Sequence, residues 1–455
     1  MTTHKIKTII SQIGIDKSIA YTSGARIVQA LSGVISIFFI AIFLSSEEQG
    51  FFFTFASITA LQVFFELGFT TILMQFVAHE VATLKWNDRS ILEGEKRNLS
   101  RLSSLIHFAL KWYSWISLIL ILVLLLTGSL FFGFYNNHTH VNWEIPWALA
   151  AVSVSSKLII SPFQSILMGL GKIKEVSKMQ FGQQLLNSMI TLCGLAIGWK
   201  LYVIGAAMLF SSLYCICYMH FSGLLKIIHN IYKREITHKI SYRKEIFPFQ
   251  WKMSISWMSG YFIYHLFNPV LFATAGPIQA GQMGLTIQAV NGIVVLSASW
   301  MSTKIPVFSK FIALKDYLSL DKLFNKTLKQ MLFVSISLYG VFLLMILSLY
   351  YTNFSIDNKV VYLRFLPFFP LILMIVATSI NQVVATLASY LRCHKQEPFL
   401  AYSIALGCAS LILIPISGKL YELNGVCICY FLLQLIFSPW GYYIYRTKKQ
   451  QWHKV

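Results

Sequence analysis

Long apolar runs separated by short polar turns organise this chain, and the stretch from Leu44 to Gln75 shows the plan most plainly. An acidic turn (Ser45, Ser46, Glu47, Glu48, Gln49) leads to Gly50, and an apolar run follows to Phe76, broken by one carboxylate, Glu66. As a helix rising about 1.5 Å per residue, Gly50 to Phe76 covers roughly 40 Å, enough to cross a hydrocarbon core with some tilt. The stretch from Ala275 to Lys310 repeats the plan: a small turn, a glycine at Gly284, a polar-dotted apolar span and then basic residues. With Ile19–Leu44 and Gly50–Phe76, runs over Leu105–Tyr135, Ile145–Leu170, Val176–Trp199 and Val203–Leu225 make six spans. Six more cover Trp251–Ala275, Ile278–Thr303, Leu328–Tyr351, Val361–Tyr390, Phe399–Gly418 and Gly425–Tyr445. The pattern predicts an all-α polytopic membrane protein of about 12 transmembrane helices, in two parallel-repeat six-helix lobes around a central cavity. Residues 1–225 form the first lobe, 226–250 a basic cytoplasmic connector and 251–455 the second lobe.

Composition agrees, since 56% hydrophobic and 12% charged residues over 455 positions suit lipid rather than water as the main solvent. The formal net charge of +20 would suit nucleic acid if it were gathered on a folded surface, but here it sits in short loops between spans. Thirty-two of the 37 basic residues fall at the termini and the even-numbered connections, whereas the other face holds Lys200, Lys359, Arg364 and Lys419. By the positive-inside bias both termini are cytoplasmic. Lys5, Lys7 and Lys17, with Ile6, Ile9, Ile10 and Ile13 at helical spacing, predict a short helix on the membrane surface ahead of a retained first span. The seven cysteines lie in or beside apolar spans and show neither a disulfide framework nor zinc spacing. The sequons at Asn98, Asn137, Asn325 and Asn353 are read as chance, because at least two fall on the cytoplasmic side.

Helical spacing then gathers polar residues into stripes on particular spans. The first span carries Thr22, Arg26, Gln29, Gly33 and Ser36; the second Thr59, Gln62, Glu66 and Thr70; the fourth Ser153, Lys157 and Gln164; the fifth Gln180, Gln184, Asn187 and Thr191. In the second half, Ser254, Tyr261, His265 and Asn268 share the seventh span, Gln288, Asn291 and Ser299 the eighth, and Thr378, Gln382 and Ser389 the tenth. Such residues either bond one helix to another or line a wet cavity, and recurrence in both halves points to the cavity. Substrate-binding candidates are therefore Lys157, Arg26, Gln29, Gln62, Gln184, Asn187, His265, Asn291 and Gln382. Lys157 sits near mid-span, too deep to snorkel easily. Arg26 lies toward the cytoplasmic side. Glu66 either pairs with Arg26 or binds a coupling proton or sodium ion. Six prolines (Pro162, Pro269, Pro306, Pro367, Pro370 and Pro415) are expected to interrupt and bend their helices.

Soluble-enzyme signatures are absent from the sequence. Gly169-Leu170-Gly171-Lys172 lacks the glycine and the Ser/Thr that a phosphate loop needs at Ile166 and Ile173, and His79-Glu80 lacks the second histidine of a zinc-protease helix. His138 and His140 have no acidic or cysteine partners for a metal. The turn from Leu44 to Gly50, the triplet Glu66-Leu67-Gly68 and the stretch Met168-Gly169-Leu170-Gly171-Lys172 resemble, in order and spacing, Wzx-type polysaccharide flippases of the multidrug/oligosaccharidyl-lipid/polysaccharide exporter superfamily. Members usually have aspartate where this chain has Glu66. The resemblance implies a non-enzyme of the bacterial inner membrane, without cofactor, that flips an undecaprenyl-diphosphate-linked oligosaccharide, with a coupling H+ or Na+ and other polysaccharide assembly proteins as further partners. Buried positive charge suits a diphosphate cargo. A multidrug or cation exporter of the same superfamily is the alternative, and it would favour buried carboxylates. A membrane-embedded polymerase or glycosyltransferase would need a large outer loop or a cytosolic domain that the turns leave no room for.

Overall fold

The computed structural model describes residues 17–87, 92–135, 140–356, 359–394 and 396–453. The expected surface helix around Lys5 and Ile13 lies outside the described residues. Among the described residues, fifteen helices of nine residues or more carry the fold. They are α1 (Lys17–Phe43), α2 (Ser46–Thr59), α3 (Phe69–Val81), α4 (Lys96–Tyr135), α5 (Glu144–Gly169), α6 (Ile173–Ile197), α7 (Tyr202–Phe221) and α8 (Leu224–Tyr232). The second half continues with α9 (Phe247–Tyr264), α10 (Phe267–Ala275), α11 (Pro277–Ser302), α12 (Ile305–Ala313), α13 (Tyr317–Tyr351), α14 (Phe368–Arg392) and α15 (Leu400–His453). Two short antiparallel ladders, Lys85–Trp86 with Leu92–Glu93 and Ser355–Ile356 with Lys359–Val360, are the strands found among the described residues.

Among the described residues, eight helical stretches are long and apolar enough to cross a membrane. Three further passes are not among the eight: α1, whose apolar segment is the shorter Ser32–Phe43, the more polar α6, and the pair α9–α10, which is broken at His265–Leu266. α15 merges two passes across a non-helical step at Tyr421–Glu422. Together these make twelve passes among the described residues, the all-α polytopic class that the apolar runs predict.

The acidic turn has a local cause. Ser45 Oγ accepts from the Glu48 amide at 3.0 Å while Glu48 Oε2 accepts from the Ser45 amide at 2.8 Å, a reciprocal capping box that starts α2. The second span does not run straight to Phe76. After α2 it tightens into a 3-10 turn over Ala60–Gln62, makes one more helical turn over Val63–Glu66, and then turns left-handed at Leu67 (φ 51°) and Gly68 (φ 65°) before α3 begins. Leu67 is a rare residue to hold positive φ, and its carbonyl accepts from Ser254 Oγ at 3.1 Å.

The prolines correct the expectation that all six bend helices. Pro162 and Pro415 do lie inside helices. Pro367 and Pro370 instead open α14, one before its first residue and one within its first turn, where a missing N–H costs nothing. Pro269 and Pro306 lie in the first turns of α10 and α12, directly after the breaks at His265–Leu266 and Thr303–Lys304. Each break falls where the proline removes the bond to the carbonyl four residues back.

The chain forms two compact units, one of Met1–Ser32, Thr59–Asn136 and Asn142–Trp257, the other of Gly33–Ile58, Asn137–Val141 and Met258–Val455. In the first, α5 packs on α3, α4 and α7, and α6 packs on α7. Trp147 donates to the Leu124 carbonyl at 3.0 Å, and its indole covers Gly128 so closely that a Cβ there would overlap it. Toward the basic end, Arg101 pairs with Glu80 at 3.0 Å and with Glu245 at 2.6 Å, while Ser100 Oγ accepts from the Thr237 and His238 amides, each at 2.8 Å. Glu80 and Arg101 thus hold the connector against α3 and α4. The Arg101 guanidinium keeps the Glu245 carboxyl below its ordinary range.

In the second unit the two stretches that share a plan meet. A Cβ on Gly50 would overlap the Pro277 carbonyl, and one on Gly284 would overlap the Phe53 ring. α2 and α11 therefore approach backbone to backbone, as small residues permit inside membranes. Gln49 donates to the Gly281 carbonyl at 2.8 Å, and Asn268 to Ser57 Oγ at 3.1 Å. The buried Arg364 donates to the Leu44 carbonyl at 2.9 Å and Lys359 to the Ile42 carbonyl at 2.9 Å, so two cations finish the negative end of α1. Burial pushes the Arg364 guanidinium below its usual value.

Candidate functional site

Within the second unit, α11 and α14, with Tyr264 of α9 and Tyr430 of α15, enclose a cavity of about 310 Å³. Asn291 and Thr286 face it from α11, and Thr378, Asn381, Gln382 and Ser389 from α14. Every lining residue is uncharged. Gln382 is buried and fixed at both ends: Ser335 donates to its Oε1 at 2.9 Å and its Nε2 donates to Ser297 Oγ at 2.7 Å. Asn381 donates to the Tyr264 hydroxyl at 3.0 Å. Asn291 carries no such clamp and is exposed. The cavity thus offers amides and hydroxyls on a rigid wall, a surface that hydrogen-bonds neutral polar groups.

The first unit gathers a different set. Gln180 donates to Gln164 Oε1 at 3.1 Å, and Gln164 donates to Gln183 Oε1 at 3.5 Å, which ties α5 to α6 by amides. One turn on, Gln184 reaches Ser188 Oγ at 3.4 Å, and Ser188 donates to Ser32 Oγ at 2.9 Å. Asn187 is half-buried beside them, its carbonyl taking the Thr191 hydroxyl at 2.8 Å. Lys157 lies two turns before Gln164 on α5, is exposed, and is within electrostatic reach of Cys215.

The remaining candidates are more scattered. Glu66, half-buried, ends its helical turn just before the left-handed pair, and Thr70 donates to its Oε1 at 2.6 Å. Gln62 is half-buried in the 3-10 turn one helical turn earlier, and Gln29 is exposed on α1. The Arg26 side chain lies outside the described residues. His265 is exposed at the break after α9, stacked on Tyr261 with ring centroids 5.5 Å apart, and is not part of the cavity wall. Of the eighth-span stripe, Gln288 turns the other way and donates to Ser36 Oγ at 2.7 Å and the Gly33 carbonyl at 3.0 Å, bonding α11 to α1.

The stripes did not single out Thr286, Asn381, Tyr264 or Tyr430. Asn381 sits next to Gln382, about 100° off the stripe, and was readable only by allowing the wall to be wider than one row. The tyrosines read as interface aromatics in sequence and have no separate signal.

No protein-family model matches the chain, and no curated protein matches it in sequence. Solved structures do. An inward-facing multidrug resistance MATE family transporter of the MOP superfamily aligns with a TM-score of 0.67 at 14% identity, covering 97% of this chain and 100% of that one. The MATE multidrug transporter DinF-BH aligns with a TM-score of 0.57 at 13% identity over 93% and 94% of the two chains. A MOP superfamily transporter from Pyrococcus furiosus, whose binding pocket of reverse polarity suggests a different function, aligns with a TM-score of 0.53 at 15% identity over 97% and 98%. The twelve passes in two compact units are thus those of a known architecture: the chain has the fold of the MATE transporters of the MOP superfamily.

Proposed function

We propose that the protein is an alternating-access exporter whose cargo is a lipid-linked oligosaccharide bearing a diphosphate, moved across the bacterial inner membrane with both termini cytoplasmic. Alternating access is supported by neighbours of this fold found inward-facing and outward-facing. The orientation is supported by the gathering of basic residues at the termini and even-numbered connections. On cargo, the descriptions of the neighbours back a multidrug exporter better than a saccharide flippase. Fold does not fix cargo, however, and the P. furiosus transporter offers a precedent for a different pocket polarity on this scaffold.

The observation that carries the saccharide reading is Lys157, an exposed cation near the middle of α5 on the same face as an amide cluster. A cationic drug would be repelled there, and the cavity of the second unit offers it no carboxylate. A diphosphate finds its counter-charge at Lys157, and the cavity of the second unit, taken by itself, offers hydroxyl groups donors and acceptors at Asn291 and Asn381. Glu66 is the acid we assign to ion coupling, since it stands at the one left-handed break of its span.

The native host deleted for this chain and complemented with it decides between the cargoes. The flippase reading expects surface polysaccharide to return while susceptibility to cationic dyes stays unchanged. Several-fold resistance to such dyes, with polysaccharide unaffected by the deletion, would establish the multidrug exporter instead. Glu66→Gln should lower export while leaving the protein folded, and unaltered export would remove Glu66 from the coupling role.

A further inference from the structure

A groove of about 650 Å³ lies in the first unit where α7 ends and α8 begins. Leu110 of α4, Phe163 of α5 and Leu225 and Ile228 of α8 line it with hydrocarbon, and exposed His220, Lys226, His229 and Tyr232 border it. α7 has 20 residues, so it spans about 30 Å and ends at Phe221, near the level where hydrocarbon gives way to headgroups. α8 is amphipathic across that level: Leu224, Ile228 and Ile231 are buried against α4, α5 and α7, while Lys226, His229 and Lys233 are exposed. Arg234, Lys239, Arg243 and Lys244 continue the positive charge into the connector, where Glu245 is already held by Arg101. Apolar length, a cationic rim and a position at the interface meet in one place.

We propose that this groove seats one anionic membrane phospholipid, an acyl chain lying along Leu110, Phe163, Leu225 and Ile228 and its phosphate held by Lys226 with the imidazoles of His220 and His229. An acyl chain gains little on leaving other acyl chains for the groove, because lipid is already apolar. Selectivity therefore comes from headgroup charge, at about fivefold per nearby cation. The ligand does not depend on which cargo the protein exports.

Native mass spectrometry of the full-length protein in mild detergent, offered phosphatidylglycerol and phosphatidylcholine with matched chains, tests it. The expected result is one retained phosphatidylglycerol per protein, preferred over phosphatidylcholine by about fivefold or more. Lys226→Gln, a change on an exposed side chain, should lower that retention about fivefold. Leu225→Trp should block it with the charge intact, and an unchanged melting temperature shows that the variant is folded. Should Leu225→Trp fail to fold, Lys226→Gln decides alone. Millimolar inorganic phosphate should leave the lipid in place, since the chain also holds it. Equal retention of the two lipids, displacement by free phosphate, or retention untouched by Lys226→Gln would each overturn the assignment, and so would displacement by a polyprenyl diphosphate, which would give the groove to the cargo.

Discussion

The two compact units place the same kinds of polar side chain inside a membrane protein and use them differently. In the first, amides on α5 and α6 bond to one another beside an accessible Lys157. In the second, Gln49, Asn268, Gln288 and Gln382 are spent bonding helices, and Asn291 is the amide left unclamped in a cavity without charge. The contrast teaches that a count of intramembrane polar residues says little about cargo. What matters is which of them remain unspent after helix packing, and whether a charge stands among them.

The sharpest way to break the comparison is Lys157→Ala. If the first unit holds the anionic end of the cargo, export should fall about tenfold or more, the equivalent of roughly 1.4 kcal/mol or above, at normal membrane levels. Lys157→Arg should keep part of it. Export at the native level, measured as surface polysaccharide, would erase the distinction between the units. Next in size is Gly284→Val, whose side chain must displace Phe53 at the α2–α11 contact. Overpacking of this kind costs about 1–3 kcal/mol. Hydrogen exchange should then rise through α2, α10 and α11 while α5 and α6 keep their protection.

Gln382→Leu sharpens the comparison from the cavity side. It removes bonds to Ser335 and Ser297, worth about 0.6 kcal/mol each inside a membrane. A thermal melt should show a small loss, whereas Asn291→Leu, unclamped, should leave stability alone and lower export of a hydroxyl-rich cargo. The smallest effect belongs to Glu245. Its carboxyl is held low in the folded protein, so the Arg101 link contributes fully above the ordinary glutamate range near 4.5 and is lost as pH falls through the lower folded value. With both partners partly exposed, about 0.5–1 kcal/mol is at stake. Faster exchange of the Thr237–Ser241 amides at pH 3.5 than at pH 6, after correction for intrinsic rates, would show it, and Glu245→Gln should remove the difference.

Much of this was legible in the amino-acid pattern because bilayer thickness sets a length that apolar runs either meet or miss. Gly50 and Gly284 were marked by the shared plan of their stretches, although nothing local said that the two would touch. The helix break at Leu67–Gly68 was not readable, since leucine seldom holds positive φ and one glycine in an apolar run is a weak signal. Nor was the clustering of Gly33–Ile58 with residues beyond Met258, which depends on contacts far apart in the chain. At the candidate site, spacing alone placed Asn291 on the same stripe as Gln288, yet one lines the cavity and the other binds α1. Rotation of a helix against its neighbours separates them, and that is a tertiary property.

The close seat of α2 on α11 also sets a clock on biogenesis. Gln49 and the Gly281 carbonyl that it meets are 232 positions apart, an interval that a ribosome working at 5–20 residues per second covers in about 10–50 s. Throughout that time α2 is already made while the helix whose backbone it will meet does not yet exist. A slower ribosome lengthens the wait, and a chain truncated before Pro277 never ends it.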